Sequence, residues 1–131
     1  MSNNNTMEPE SPGLKQIFIV DDDESVRRSL KALLVAHGFR VSTFPGAEEF
    51  FKAVPNSAPG CLILDIYMPR LEGWETQKRL LESGSKRPVI IISAEKNGDL
   101  KTHALEAGAA GFLQKPFDGQ ELVDLINKCE N

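Results

Sequence analysis

Short apolar runs alternate with stretches of helical periodicity along this chain. Lys15–Val20 is apolar, partly β-branched and bounded by acids, which predicts a first strand. Val26, Leu30, Leu33, Leu34 and His37 recur at helical spacing, and Gly38 ends that helix. Phe39–Phe44 sets Phe39, Val41 and Thr43 against Arg40, Ser42 and Phe44, the alternation of a second strand. Pro45-Gly46 turns into a helix carrying Phe50, Phe51 and Val54, and residues 55–60 form a loop. Cys61–Asp65 is a continuous buried third strand. Met68–Gly73 is an irregular loop, and Gly73–Ser83 is a helix that ends near Gly84. Arg87–Ile92 holds four consecutive aliphatic residues, as expected of a fourth strand covered on both faces. Asp99–Ala107 is a helix with few large apolar residues, and Ala110–Gln114 is a short fifth strand. Asp118 then caps a last helix, with Glu121 three residues on in the arrangement of a capping box. The apolar face of that helix is Leu122, Leu125, Ile126 and Cys129.

Five strands each followed by a helix, with short connections, predict an α/β fold. It is a doubly wound (βα)5 parallel sheet of five strands with helices on both faces and right-handed crossovers. At 131 residues the chain is one domain, large enough to bury roughly two-thirds of its unfolded surface. Residues 1–13 are rich in Asn, Ser, Pro and Glu and predict a disordered leader, which leaves 14–131 as the folded unit. The leader has neither the basic start nor the apolar stretch of a signal peptide, so a cytoplasmic location is expected. The net charge of −4 gives no basic face for nucleic acid, and no apolar run approaches membrane-spanning length. Two cysteines, Cys61 and Cys129, are expected to stay reduced as small apolar residues.

The chemistry lies where the apolar runs stop. Ile17-Phe18-Ile19-Val20 runs into Asp21-Asp22-Asp23, Leu62-Ile63-Leu64 into Asp65, Val89-Ile90-Ile91-Ile92 into Ser93, and Phe112-Leu113-Gln114 into Lys115-Pro116. In a parallel sheet all four points share the carboxyl edge, where open α/β sheets bind ligands at the reversal of strand order. Carboxylates for a metal, a hydroxyl and a cation then converge, a set suited to the charged oxygens of a phosphoryl group. Asp21 and Asp22 repel each other at a strand end, and a divalent cation relieves that cost. Mg²⁺ takes one or two carboxylates, several waters and phosphate oxygens. Asp23 and Glu24 instead begin the following helix and favour its dipole. Asp65 precedes no immediate helix that it could cap, and a carboxylate beside a metal can attack phosphorus to form an acyl phosphate. Ser93 would donate to a phosphoryl oxygen, and Lys115 would pair with Asp65 or its phosphate. Pro116 invites a cis bond after Lys115. Each residue also has an ordinary structural use: solvated turn, turn former, exposed lysine. Their order across strands one, three, four and five is what is specific. His37 is expected to bond helix-end carbonyls, His103 to lie at the surface, and Trp74 carries no assigned role.

Val20-Asp21-Asp22-Asp23-Glu24, Leu64-Asp65-Ile66-Tyr67-Met68-Pro69, Ile92-Ser93-Ala94 and Gln114-Lys115-Pro116-Phe117 resemble the receiver domain of bacterial response regulators, the CheY-like family. The resemblance covers about residues 15–129. It implies the flavodoxin-like sheet order 2-1-3-4-5, which sets Asp21 and Asp22 beside Asp65. It also implies that Asp65 is the phosphoacceptor and that Asp22 and Asp65 bind Mg²⁺, with Asp21 helping through water and the Tyr67 backbone carbonyl as a further ligand. Lys115 takes the place of the family's lysine, Ser93 and Phe112 those of the switch hydroxyl and switch aromatic. The donor would be a phosphohistidine on a sensor histidine kinase or histidine phosphotransfer protein. The product would be a self-dephosphorylating switch of a two-component phosphorelay rather than a turnover enzyme. Phosphate on Asp65 would draw Ser93 inward, Phe112 would fill the space, and the face of the fourth helix, fifth strand and fifth helix would change. That face is also where the family implies dimerisation. Phe112 lacks the hydroxyl many relatives carry, and the bulk of Tyr67 is expected to hinder water attack on the phosphate.

A haloacid-dehalogenase-like phosphatase is the main rival. Asp21-Asp22-Asp23-Glu24-Ser25 matches D-x-D-x-S after a strand, with Asp21 as nucleophile and Asp23 as acid/base. Against it, no acidic pair follows Lys115 on a further strand, and Leu64-Asp65 and Met68-Pro69 stay unexplained. A binding-only receiver is not favoured, since every reactive side chain is present. A flavin binder would need a Ser/Thr/Gly-rich loop where the acids stand. Two expectations stay open, a complete single-domain regulator and the receiver piece of a longer transcription factor; the second is favoured, because the first helix and second strand resemble receivers that precede a DNA-binding domain.

Overall fold

The computed structural model describes residues 15–66, 72–84, 86–94 and 98–129. The predicted leader, Tyr67 and most of the Met68–Gly73 loop lie outside them. The elements are β1 (Gln16–Val20), α1 (Glu24–Ala36), β2 (Arg40–Phe44), α2 (Ala47–Ala53) and β3 (Cys61–Asp65), then α3 (Glu72–Glu82), β4 (Val89–Ser93), α4 (Gly98–Glu106), β5 (Gly111–Gln114) and α5 (Gly119–Cys129). All neighbouring strands pair parallel, in the order β2-β1-β3-β4-β5.

Side chains of a strand alternate between faces, and the core divides accordingly. Ile17, Ile19, Cys61, Ile63, Ile90 and Ile92 face Leu30 and Leu34 of α1 and Leu122, Val123 and Ile126 of α5. Phe18, Val20, Leu62, Leu64, Val89 and Ile91 face Phe50 of α2, Leu80 of α3 and Ala104 of α4. The continuous aliphatic runs in β3 and β4 are thus buried on both sides, each large side chain contributing roughly 1.5–3 kcal/mol. A right-handed crossover from β1 to β2 places α1 on one face, and the opposite direction of travel from β2 onward places α2, α3 and α4 on the other. Cys61 and Cys129 are both free thiols. Among the described residues no helix is long and apolar enough to cross a membrane.

The ends of the elements follow local chemistry. Asp23 is the N-cap of α1, its carboxylate accepting from the N–H of Ser25 at 2.9 Å and of Val26 at 3.3 Å. His37 caps the other end through Nδ1 and the Leu33 carbonyl at 2.9 Å, and Gly38 turns the chain at φ +92°. Asp118 and Glu121 cap α5 reciprocally. The Asp118 carboxylate accepts from the Gln120 N–H at 3.1 Å, and Glu121 Oε1 accepts from the Asp118 N–H at 2.9 Å.

The bounds of β1, α3, α4 and β5 move by one residue from those expected, and three further expectations shift. Phe39 precedes β2, because its N–H is used on the Leu34 carbonyl of α1 at 3.0 Å. Arg87 and Pro88 precede β4, since proline has no N–H for the ladder; the Pro88 carbonyl still accepts from Leu62 at 2.9 Å. The buried face of α5 is wider than the four residues expected, because Val123 also enters the core. On α4, Leu100 and Ala104 are buried while Leu105 is 43% exposed.

Candidate functional site

Register fixes the level of the carboxyl edge. Val20 pairs with Leu64, so the next residues, Asp21 and Asp65, come side by side. Asp21 donates its N–H to the Phe44 carbonyl at 3.1 Å, which continues the β1–β2 ladder one residue past the strands. Asp21 is 5% exposed. Its Oδ1 accepts from the Asp23 N–H at 2.9 Å. Its Oδ2 is buried and accepts from no protein donor among the described residues.

Asp65 ends β3 and forms an ion pair with Lys115 through its Oδ2. Lys115 comes from the segment after β5, and its N–H is held by the Ser93 carbonyl at 2.8 Å. The Lys115–Pro116 peptide is cis. Asp21, Asp22, Asp23, Asp65 and Lys115, with Val26 and Ala94, line one open pocket of about 390 Å³. Four carboxylates therefore share a pocket with one ammonium group.

This crowding acts on Asp21. Burial pushes its carboxyl up to about 7, and the Asp65 carboxyl pushes the same way, as hydrogen-bond partner and as like charge. The Asp23 N–H and the Lys115 ammonium oppose the rise. Two carboxyls side by side at this edge repel each other when both are ionised, and a proton on one relieves that repulsion. A divalent cation is the other way to neutralise such a pair. Among the described residues no three such side chains already form a ligand cluster. Mg²⁺ needs only one or two carboxylates with water and phosphate oxygens, so the donor set and the orphaned Asp21 oxygen fit it.

The remaining expected site residues fall at different depths. Asp22 is exposed at the pocket rim. Ser93 is completely buried at the end of β4 and stands behind the pocket, whose lining at that point is Ala94. Phe112, half-buried on β5, is level with Ile91, packs against the core face of α2, α3 and α4, and borders a separate groove with Leu125 and Lys128. The structure thus brings Asp21, Asp22, Asp65 and Lys115 together and leaves Ser93 and Phe112 behind and beside them. The expected Tyr67 carbonyl ligand lies outside the described residues. His103 is exposed on α4, as expected. Sequence reasoning missed Val26 as pocket lining, since its helical periodicity marks it only as core.

Comparison with known proteins gives a consistent result. The family model of the response regulator receiver domain matches residues 17–127. The transcriptional regulatory protein TdiR of Thauera aromatica is 40% identical over 111 residues, which are 85% of this chain and 49% of TdiR. The transcriptional regulatory protein FixJ of Bradyrhizobium diazoefficiens is 37% identical over 113 residues, 86% of this chain and 55% of FixJ. Full-length FixJ from B. japonicum superposes with a TM-score of 0.80 at 36% identity, covering 88% of this chain and 57% of that one. The chain spans about half the length of the curated relatives it matches.

Proposed function

The chain belongs to the response regulator receiver domain family of two-component systems, and we propose that it is a phosphoacceptor switch in which Asp65 takes a phosphoryl group from phosphohistidine. The observation that carries this reading is the Asp65–Lys115 ion pair inside an acidic pocket at the sheet's carboxyl edge. An Asp65 oxygen attacks phosphorus, the phosphorus–nitrogen bond of the donor breaks, and the histidine nitrogen keeps the electron pair. Asp65 becomes an acyl phosphate. Lys115, released from the carboxylate it now pairs with, would hold a phosphoryl oxygen. Mg²⁺, held by Asp22 and Asp65 with Asp21 acting through water, would offset the repulsion between the attacking carboxylate and the phosphoryl group. The Tyr67 carbonyl is proposed as a further ligand on family grounds alone. The donor is a sensor histidine kinase or a histidine phosphotransfer protein of the cytoplasm.

Ser93 and Phe112 carry the signal outward. The Ser93 hydroxyl turns toward the phosphoryl oxygens, and Phe112 takes up the space. The face of α4, β5 and α5 then changes; its α4 buries Leu100 and Ala104 and leaves Leu105 exposed. TdiR and FixJ are named transcriptional regulators, and the matched stretches are 49% and 55% of them. We extend that output here: a DNA-binding domain controlled through this face, with dimerisation on phosphorylation. Modification is stoichiometric, so the domain is a switch and not a turnover enzyme.

Intact mass after incubation with acetyl phosphate and Mg²⁺ tests the reading. Wild type should gain one phosphoryl adduct and Asp65→Asn none. Steady phosphate release without an adduct, lost in Asp21→Asn, would point to the phosphatase chemistry instead. That alternative needs Asp23 as acid/base, and Asp23 is committed to capping α1.

A further inference from the structure

We propose that Arg27 is a positioning residue of the acidic pocket, fixing the Asp21–Asp22 peptide so that both carboxylates stay aimed into it. Arg27 stands in the first turn of α1 and is half-buried. Its Nη1 donates to the Asp21 backbone carbonyl at 2.7 Å, the short distance of a charge-assisted bond. Its own N–H donates to the Asp23 carbonyl at 3.0 Å. The Asp21 N–H is already held by Phe44 at 3.1 Å. Asp21 is therefore gripped on both sides of its Cα, once by β2 and once by Arg27.

A peptide unit is planar. The Asp21 carbonyl and the Asp22 nitrogen share one plane, so a bond that fixes the carbonyl also fixes how Asp22 leaves the loop. Asp22 is exposed at the pocket rim. The same bond commits the Asp21 carbonyl to Arg27 and leaves the carboxylates as the ligands of this loop. Arg27 does not border the pocket, so it acts through Asp21 and not by touching the phosphoryl group.

This inference rests on the Mg²⁺ reading above, and the sign of one measurement separates it from a plain charge effect. A cation near a Mg²⁺ site repels the metal, so removing it for charge reasons alone tightens Mg²⁺ binding. Removing a positioning residue weakens it, typically by tenfold or more for a partner behind the ligands. Titration calorimetry with Mg²⁺ on wild type and Arg27→Met decides. The dissociation constant should rise by about tenfold. An unchanged or lower constant would overturn the proposal. Arg27→Gln, whose shorter amide falls short of the Asp21 carbonyl, should show the same loss and serves if Arg27→Met does not fold. No Mg²⁺ binding by wild type would sink the metal reading itself, a separate outcome.

Discussion

Asp21 is a carboxyl whose ionisation the fold opposes. Burial and the neighbouring Asp65 raise it to about 7, against 3.8 for an ordinary aspartate, while the Asp23 N–H and Lys115 pull the other way. Without Mg²⁺ the folded state therefore binds more protons than the unfolded state between about pH 4 and 7. Stability falls as pH rises through that window and levels off above it. Asp21→Asn removes the ionisation. In buffer with EDTA it should stabilise the protein by on the order of 1–3 kcal/mol at pH 8 and by nothing near pH 3.5. Urea midpoints at the two pH values check this, and an equal effect at both would refute it. Among the pocket residues, Asp21, Asp22, Asp65 and Lys115 were legible in the sequence because each stands at or just past the end of an apolar run. Arg27 was not, since a polar residue on a helix gives no sign of what its side chain reaches. Nor was the full burial of Ser93, which depends on what later packs over β4.

At the scale of elements, the helix ends were readable because they are made by neighbours in sequence. Asp118 with Glu121, Asp23 before α1 and His37 before Gly38 all cap as their positions suggest. Asp118→Ala should cost about 1 kcal/mol, seen as a lower urea midpoint with an unchanged slope. A shift within error would mean that Gly119, the first residue of α5, packed so close to Leu33 of α1 that a Cβ would lie 2.7 Å from it, holds the end of α5 without the cap. Strand starts were less legible. Phe39 and Arg87-Pro88 are apolar or adjacent to apolar runs, yet their backbone groups belong to a helix end and a loop. Pattern registers side chains and does not register where an N–H is used. Val123 was missed for a related reason: packing between α5 and the sheet reaches past the four positions that periodicity picks out.

Across the whole molecule, strand order makes the site. Hydrophobic alternation predicts five parallel strands with helices on both faces, but it does not state which strands are neighbours. That order came from family resemblance, and the observed β2-β1-β3-β4-β5 sheet agrees with it. Only when β1 lies next to β3 does the acidic turn after Val20 meet Asp65, with Lys115 arriving from beyond β5. The core is packed on both faces of the sheet, and α4, which buries Leu100 and Ala104, lies beside β5. By this convergence Asp65 is the proposed phosphoacceptor. Borohydride reduction after treatment with acetyl phosphate and Mg²⁺ tests it most directly, because it converts an aspartyl phosphate to homoserine that peptide mass mapping locates. Homoserine at position 65 alone is the predicted result. Homoserine at position 21, or at neither position, would contradict the account.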